Sequence, residues 1–426
     1  MIAKVLEARN LYKAEHQVVR NKGAGGIDRM RCWELSEYIQ KNRSNLLNSV
    51  RNNSYQAQAI LGVPISKGKG KTRLLGIPTV VDRWLQQAVN QQLTAIFEYE
   101  FESFSYGFRP NKNIQKAVLQ SQSLINSGHQ DIVDIDLKGF FDEVDHCILL
   151  QLVYKKVRCP TTLRLIRKWL RAPILKNGKL HKRRKGIPQG SPLSPLLSNI
   201  ILDVLDKEMQ RQGLQYVRYA DDFSIYTKSK SEARRVGNRI YLFLQNKLKL
   251  PINRAKSGIV RPKHFELLGH GFAPIYKKGV KGQYQIIVSK SSWEKLKRKL
   301  KKATQKTSPL SLTDRLTKLN EICRGWMNSS RLANISTKIK KVDAWLRNRL
   351  RYCIWHDWKK PDRKRKNLIQ LGIENGQAFA WSRTRTGGWA VAQSPVLGTT
   401  ITLSRLKRKG YKAIIDYMNK EQISIW

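Results

Sequence analysis

The chain has 426 residues and a formal net charge of +50, because 81 Lys and Arg residues stand against only 31 Asp and Glu residues. A chain of this length is expected to form two or three packed units. The charge disfavours an enzyme that acts on small molecules, because so basic a chain repels itself and attracts any polyanion. Nucleic acid is therefore the expected partner, ahead of an anionic membrane surface.

The apolar pattern argues against a membrane partner. No run approaches the roughly 20 apolar residues that a spanning helix needs. The N-terminal sequence MIAKVLEARNLYKAEH carries charges throughout, which is not typical of a signal peptide. We therefore expect a protein of the cytoplasm.

Cysteine and histidine offer no metal motif. The five cysteines include no C-x-x-C pair, and the seven histidines form no H-x-x-x-H pair. This spacing predicts reduced thiols in a cytosol-like compartment. Any bound metal must then be held by carboxylates, which favours Mg²⁺ or Mn²⁺. The cysteines are Cys32, Cys147, Cys159, Cys323 and Cys353.

The first third of the chain alternates helical and β-type patterns. Residues 1 to about 60 predict helices, and residues 61–78 predict a hairpin with a Gly/Lys tip. Helices are predicted again over 82–98 and 114–125, because apolar residues recur there at helical spacing. The stretch QDIVDIDL (130–137) predicts a strand.

The middle of the chain continues this alternation and then changes. The patterns predict a helix over 148–170, a hairpin turn at 176–179, a helix that follows 186–195 and runs through Met209, two β-type runs within 216–227, a helix over 231–248 and a strand over 264–272. Because this order has no regular βαβ period, we predict the α+β class with an antiparallel sheet. Beyond Ser289 the pattern predicts helices, with boundaries near 290 and 360.

Scarce carboxylates are concentrated at two places. Asp221 and Asp222 are adjacent between β-type runs, and Asp134 and Asp136 fall on one face of the predicted strand, because strand side chains alternate. Adjacent carboxylates repel each other unless a cation holds them. Two cations at such a site would favour phosphoryl or nucleotidyl transfer. An Asp pair at a turn is, however, most often only a solvated loop, and the strand does not choose between Asp134 and Asp136.

Seven sequence blocks follow one another along nearly the whole chain. They are GAGGID (23–28), KTRLLGIPTVVDR (71–83) with SYGFRP (105–110), VDIDLKGFFDEVDH (133–146), GIPQGSPLSPLLSNIILDVLD (186–206), YADDF (219–223), LKLPINRAKS (248–257) and LLGHGF (267–272). In this succession the chain resembles the reverse transcriptases encoded by bacterial group II introns, the intron maturases. The order of the blocks makes the resemblance specific, whereas YADD alone would be a weak signal.

The resemblance implies the right-hand polymerase fold and three functional regions. Fingers and palm, with the antiparallel sheet, would occupy residues 1–290, and an all-helical thumb, or maturase X region, would occupy 291–360. A small basic DNA-binding region, the D region, would occupy 361–426. Many family members continue into an endonuclease domain that is not found in this sequence, so a compact subclass is expected.

The resemblance also assigns the metal site. It implies that Asp136, Asp221 and Asp222 bind two Mg²⁺ ions, for which Mn²⁺ can substitute, with the carbonyl of Leu137 as a further ligand. The family's spacing between the catalytic Asp and an aromatic sugar gate selects Asp136 with Phe141. An aromatic ring beneath the sugar would exclude a 2′-hydroxyl. Without the family, core packing explains Phe141 equally well.

Four further residues are assigned to the nucleotide. By resemblance, Lys67 and Arg73 bind the triphosphate, Gln189 lines the incoming nucleotide, and Lys256 protonates the leaving pyrophosphate. A solvated basic loop is the simpler interpretation of SKGKGKTR, which lacks the glycine spacing of a P-loop. A surface lysine is likewise the simpler interpretation of Lys256.

Basic residues of the C-terminal part are expected to contact nucleic acid. In KLKRKLKKATQK (295–306), helical spacing places Leu296 and Leu300 inward. The opposite face can meet a phosphate backbone through Lys297, Arg298, Lys301 and Lys302. In the tail, Arg383 and Arg385 lie between Trp381 and Trp389, a pattern that suits unpaired nucleic acid.

The function implied by the resemblance is RNA-directed DNA synthesis from dNTPs, together with splicing and retrohoming of the intron. Its partners would be group II intron RNA, an RNA template with a DNA primer, and target DNA on the bacterial nucleoid. One alternative is an RNA-binding splicing cofactor with an idle polymerase site, and another is a domesticated reverse transcriptase in defence or repair. Whether the free protein is a homodimer is left open.

Overall fold

A computed structural model describes residues 1–68, 71–276 and 282–418, and the chain divides into two compact units, Met1–Arg261 and Pro262–Trp426. Across the described ranges, no helix combines the length and the apolar character that a membrane crossing requires. The functional division of the chain at 290 and 360 stays a prediction.

The first unit mixes helices with short strands. Its helices are α1 (Ile2–Val5), α2 (Ala8–Arg20), α3 (Leu35–Arg51), α4 (Val80–Phe97), α5 (Ile114–Asn126), α6 (Phe140–Glu143), α7 (His146–Val157), α8 (Pro160–Arg171), α9 (Ser194–Arg211) and α10 (Lys230–Phe243), the last continuing as a π-helical turn over Leu244–Leu248. Its strands are β1 (Ile60–Gly68), β2 (Lys71–Ile77), β3 (Asp131–Ile135), β4 (Ile174–Lys176), β5 (Lys179–His181), β6 (Gln215–Tyr219), β7 (Asp222–Thr227) and β8 (Gly258–Val260). The predicted hairpins at 61–78 and 176–179 are confirmed.

An antiparallel sheet with the order β6–β7–β3–β8 forms the centre of this unit. Strand β3 pairs with β7 in a register that places Ile135 opposite Phe223 and Asp134 opposite Ser224. Helix α10 packs against β3 and β7, and α5 packs against β6. Apolar residues along these strands are buried, and the predicted α+β class with an antiparallel sheet is confirmed.

A second sheet has the order β2–β1–β4–β5 and contains the basic hairpin. Strands β1 and β2 are antiparallel, and β1 is parallel to β4. The backbone ahead of β1 is fixed by Asp82, a buried residue of α4 whose carboxylate accepts hydrogen bonds from the Gln58 N–H and the Trp169 indole. Such bonds satisfy a carboxylate that would otherwise be costly to bury.

The helix predicted over 148–170 is wrong in one respect, because the structure has two helices there. Helix α7 ends at Val157, and α8 begins at Pro160. Between them Arg158 adopts a left-handed conformation with φ of 44°. The proline has no N–H and disfavours helical geometry at the preceding residue, so it begins a new helix.

The second unit begins with a small sheet and is helical beyond it. The strands β9 (Glu266–Leu267), β10 (His270–Pro274) and β11 (Tyr284–Val288) form a sheet with the order β11–β10–β9. The helices are α11 (Lys290–Ala303), α12 (Leu312–Ser330), α13 (Ser336–Asp357), α14 (Pro361–Gln370), α15 (Asn375–Ser382), α16 (Gly388–Gln393), α17 (Pro395–Thr400) and α18 (Leu403–Arg408). The helical texture predicted beyond Ser289 is confirmed over the described residues.

The tail of the second unit packs against α13 through a buried carboxylate. Asp343 accepts hydrogen bonds from the backbone N–H groups of Ile414 (2.8 Å) and Ile415 (3.3 Å). Burial raises the pKa of Asp343, against the opposing effect of these two bonds. The backbone after α18 is thereby fixed to the middle of α13.

Candidate active site

The two adjacent aspartates lie at the turn between β6 and β7. Tyr219 and Asp222 pair across the hairpin, so Ala220 and Asp221 form its two-residue tip. Ala220 has a φ of +57°, a left-handed conformation that costs a residue with a Cβ roughly 1–2 kcal/mol. Such a turn persists only where its surroundings fix it.

A fully buried guanidinium lies beneath this turn. Arg218 donates to the carbonyl of Ala220 at 3.0 Å and to the side-chain oxygen of Asn199 at 3.0 Å. Its remaining N–H groups bond the carboxylate of Asp206 on α9, and neither side chain of this ion pair is exposed. The fixed planar fork of arginine suits this arrangement of several acceptors.

A distant segment lies against the same turn at Gly107. The Asn199 amide donates to the carbonyl of Gly107 at 2.9 Å, and Tyr106 N–H donates to the Arg218 carbonyl at 2.8 Å. A Cβ at position 107 would lie 2.2 Å from the backbone nitrogen of Ala220. Only glycine therefore permits this close approach.

The third predicted ligand, Asp136, follows the end of β3. Its backbone N–H donates to the Ser257 hydroxyl at 3.0 Å, and its Oδ2 accepts from the Asn253 amide at 2.8 Å. Lys256 Nζ lies 3.2 Å from the same Oδ2. The block NRAKS thus holds Asp136 from three positions and brings the predicted catalytic lysine beside it.

The carboxylates of the two strand ends influence one another. Asp222 is exposed, yet partial loss of hydration raises its pKa, and the charges of Asp221 and Asp136 add to this effect. The resulting pKa is about 6, although Lys256 acts to lower it. The proximity predicted for Asp136, Asp221 and Asp222 is consistent with this mutual effect.

Asp134 belongs to the same electrostatic group but has a different surrounding. It is partly buried, and its Oδ1 accepts from the Ser224 hydroxyl at 3.2 Å across the sheet. Burial, and then the charge of Asp136, raises its pKa to about 6. A partner within the sheet is already available to Asp134, whereas Asp136 stands at the strand end beside Lys256.

The donor set fits a divalent cation that prefers oxygen ligands. The carboxylates repel one another, and this repulsion contributes to the raised pKa of Asp222. A cation placed among them would therefore stabilise their ionised forms. Within the described ranges, no three or more His, Cys, Asp or Glu side chains are already gathered as a metal site. The Asp136 carboxylate instead accepts a hydrogen bond from Asn253 and forms an ion pair with Lys256. The cation that it contacts in the structure is thus the lysine ammonium group.

The predicted nucleotide residues form a second cluster. Arg73 on β2 bonds the side-chain oxygen of Gln189, and its guanidinium lies 5.9 Å from the centre of the Phe141 ring. The Gln189 carbonyl in turn accepts from Gly76 N–H at 2.7 Å. The structure therefore brings Arg73, Gln189 and Phe141 together, while the side chain of Lys67 lies outside the described part.

Phe141 is both a core residue and a neighbour of the cluster. Its side chain is buried, and its ring meets that of Phe140 edge to face at 5.2 Å. The carbonyl of Phe141 accepts from Ile187 N–H at 2.6 Å, which ties it to the loop that carries Gln189. The core-packing interpretation and the gate interpretation are thus compatible.

The predicted nucleic-acid residues of the second unit differ in their surroundings. On α11, Leu296 and Leu300 are buried, whereas the four basic residues of the opposite face are exposed: Lys297, Arg298, Lys301 and Lys302. In the tail, Arg383 pairs with Asp362 at 3.0 Å and lies 4.0 Å from the centre of the Phe379 ring. Arg385 is exposed.

Several residues that shape the site were not predicted. Asn199 and Asp206 lie inside the block 186–206, and Arg218 immediately precedes the block YADDF, yet the resemblance assigns no role to any of the three. The available signal was an arginine within an otherwise apolar strand, because a buried charge requires a partner. Asn253 and Ser257 flank the predicted Lys256 within NRAKS, and only the fold shows that they bond Asp136.

Comparisons with known proteins match the chain to two family models and to several relatives. Residues 65–272 match the family described as "Reverse transcriptase (RNA-dependent DNA polymerase)", and residues 293–372 match "Group II intron, maturase-specific domain". The "Group II intron-encoded protein LtrA" of Lactococcus lactis subsp. cremoris is 30% identical over 361 residues, which cover 69% of this chain and 57% of that protein. "Protein YkfC" of Escherichia coli (strain K12) is 27% identical over 318 residues, which cover 65% of this chain and 83% of that protein.

The similarity extends to a solved structure. The "Partial Cas6-RT-Cas1--Cas2 complex" aligns over 58% of this chain and 42% of that chain, with a TM-score of 0.38 and 23% sequence identity. The chain thus combines a reverse transcriptase domain with a maturase-specific domain. It is similar to the group II intron-encoded protein of Lactococcus, and it spans 57% of the length of that relative.

Proposed function

We propose that the protein is an RNA-directed DNA polymerase that copies structured RNA by two-metal nucleotidyl transfer. The observation that carries the proposal is the grouping of Asp136, Asp221 and Asp222 at neighbouring strand ends with Lys256 beside them. A basic and aromatic cluster of Arg73, Gln189 and Phe141 accompanies it in the same unit.

The three aspartates would hold the ions, with the Leu137 carbonyl as a further ligand. Bound Mg²⁺ would lower the pKa of the primer 3′-hydroxyl and stabilise the charge on the leaving pyrophosphate. The protein's own part is to fix the two strand ends relative to each other, through Arg218 beneath the turn and Ser257 beneath Asp136.

The remaining residues would act on the substrate. Arg73 would release its hydrogen bond to the Gln189 side chain and bind oxygens of the triphosphate, because a guanidinium binds phosphate in a bidentate manner. Lys256, with its Nζ in the group and a largely exposed side chain, would donate a proton or a positive charge to the pyrophosphate.

A role in splicing and retrohoming is proposed as well. The maturase-specific match covers 293–372, and the exposed basic face of α11 begins in this region. Structured RNA is recognised largely through shape and phosphates, for which such a face is suited. The intron RNA, the DNA target and the primer are accordingly proposed partners.

Primer extension on a structured RNA template, with dNTPs and Mg²⁺, tests the polymerase proposal. Asp222→Asn removes a charge with little change of shape and should abolish extension, while binding of the RNA stays within about twofold. Asp134→Asn is the matched control, because it alters a neighbouring carboxylate that has its own partner in Ser224.

These two variants, together with Asp136→Asn, separate the outcomes. Extension by Asp222→Asn at the wild-type rate would remove Asp222 from the metal site. If Asp134→Asn abolishes extension and Asp136→Asn does not, the metal ligand on this strand is Asp134 and not Asp136. If both Asp222→Asn and Asp136→Asn bind RNA normally but extend no primer, the proposal stands.

A further inference from the structure

A cavity of about 450 Å³ opens within the second unit. Its apolar lining includes Leu312, Trp358 and Leu371, and its cationic lining consists of Arg405, Arg408 and Lys409. The volume lies in the range of about 300–1,000 Å³ that is usual for sites of small molecules. The polymerase site described above lies in the first unit.

The apolar lining comes from three helices that leave large side chains partly exposed. Leu312 begins α12, Trp358 follows α13 and Leu371 follows α14, and each of the three is only half-buried. The Trp358 ring is supported by the buried Trp355 at 5.8 Å between ring centres. A tryptophan held in this way offers a firm stacking surface.

The cations come from α18 and from Lys409, which directly follows that helix. Arg405 is half-buried and donates to the Thr400 carbonyl at 2.6 Å, which fixes its guanidinium, whereas Arg408 and Lys409 are exposed. No acidic side chain lines the cavity among the described residues. The charge on this side of the cavity is therefore uniformly positive and favours an anion.

We propose that this cavity takes one unpaired nucleotide of a bound strand. The base would lie against Trp358 between the apolar residues, and its phosphate would meet Arg408 and Lys409. An aromatic surface combined with backbone-tracking cations is the general way in which proteins hold unpaired strands. An apolar guest without charge would leave the cations unused, and a phosphate alone would leave the apolar lining exposed.

The occupant can come from RNA or from DNA, and the test has an arm for each. The full-length protein is titrated with a fluorescent oligouridylate or oligothymidylate of six nucleotides, and with an abasic strand of equal length. The ratio of the two dissociation constants isolates the contribution of the bases from that of the phosphates. We expect a ratio of about ten for the wild type with the preferred sugar.

Two variants test whether that ratio arises in the cavity. Leu312→Trp fills the cavity from a half-buried position, and Trp358→Leu removes the stacking surface, so each should reduce the ratio to about one to two. Arg408→Ala should weaken binding of base-containing and abasic strands alike. Lys407→Ala is its matched control, because Lys407 lies on α18 but pairs with Asp416 at 3.2 Å and does not line the cavity.

A photoreactive strand locates the base. A strand with a single 4-thiouracil or 4-thiothymine should crosslink within 354–358 in the wild type and in Asp222→Asn, the variant expected to carry out no extension. An unchanged ratio in both cavity variants, with crosslinks elsewhere, would overturn the proposal. Because the readout is binding, its failure is independent of the outcome of the extension assay.

Discussion

The guanidinium of Arg218 and the carboxylate of Asp206 form an ion pair in which neither side chain is exposed, directly beneath the turn that carries the two adjacent aspartates. Burying both charges is costly, and a pair of apolar residues would often be at least as stable. Stability alone therefore does not explain the pair. Positioning of the turn does, because Arg218 fixes the turn through its bonds to Ala220 and Asn199.

Replacing the pair in two steps separates stability from positioning. Arg218→Met leaves Asp206 buried without its partner and should lower the free energy of unfolding by about 3–5 kcal/mol. The double variant Arg218→Met/Asp206→Leu should recover most of that loss, yet primer extension should stay at least about tenfold below the wild type, because the Ala220 carbonyl has lost its donor. Urea denaturation and extension at saturating Mg²⁺ measure the two effects. Wild-type extension by the double variant would show that the pair does not position the turn.

Sugar selection provides the second prediction. Phe141→Ala should raise the use of ribonucleotides relative to deoxynucleotides by about tenfold or more, because space opens beneath the sugar. Phe140→Ala is the matched control, since Phe140 is a neighbour that is also buried and whose ring packs on Phe141 at 5.2 Å. Both variants should lose stability by about 3–5 kcal/mol. Competition between ATP and dATP in single-nucleotide addition is the measurement, and equal selectivity in the two variants would remove Phe141 from the gate.

A pH-dependent stability change is expected at Asp203. Burial, aided by Asp206, raises the pKa of Asp203 to about 6, although Lys207 opposes the shift. The native state then binds the proton more tightly than the unfolded state, so Asp203 destabilises the fold as pH rises from about 4 to about 6. Asp203→Asn should therefore raise the free energy of unfolding by about 2 kcal/mol at pH 7.5 and by nearly nothing at pH 4. Urea denaturation at both pH values checks this, and an equal gain at the two would contradict it.

Salt dependence tests the basic face of α11. Changing Lys297, Arg298, Lys301 and Lys302 to Ala should reduce the slope of log affinity against log salt by about 3 for a template–primer duplex, because fewer counterions are released. A second variant with four exposed basic residues of the first unit changed to Ala is the matched control: Lys228, Lys230, Arg235 and Arg239. Fluorescence anisotropy over a salt series measures both. Equal slopes for the two variants would argue against a duplex contact at α11.

Helices and strands were predicted correctly where the spacing of apolar residues within one short stretch determines them. Strand β3 and helices α4, α5 and α9 follow directly from their apolar spacing, and the Asn177–Gly178 turn follows from its residue types. The break before Pro160 was missed because apolar spacing continues across it. Proline was the available signal, and it should have outweighed the periodicity.

The site was predicted less completely, because its contacts join distant parts of the chain. The blocks and their order supplied the aspartates, Lys256 and the nucleotide residues by resemblance. The contact between Arg73 and Gln189 joins residues 116 positions apart, which no local pattern indicates. Arg218 is buried beside the apolar Val217 in β6, so alternation along that strand gives no sign of its partner on α9.

The close approach of Gly107 to Ala220 has a consequence for exchange of segments between relatives. The turn and the 105–107 segment are separated by more than a hundred positions, yet a Cβ at position 107 would displace the backbone of the turn at Ala220. A chimera that receives the hairpin of β6 and β7 from a relative must also receive a compatible 105–107 segment and the residue at 199. These three segments form one structural unit, although the chain encodes them far apart.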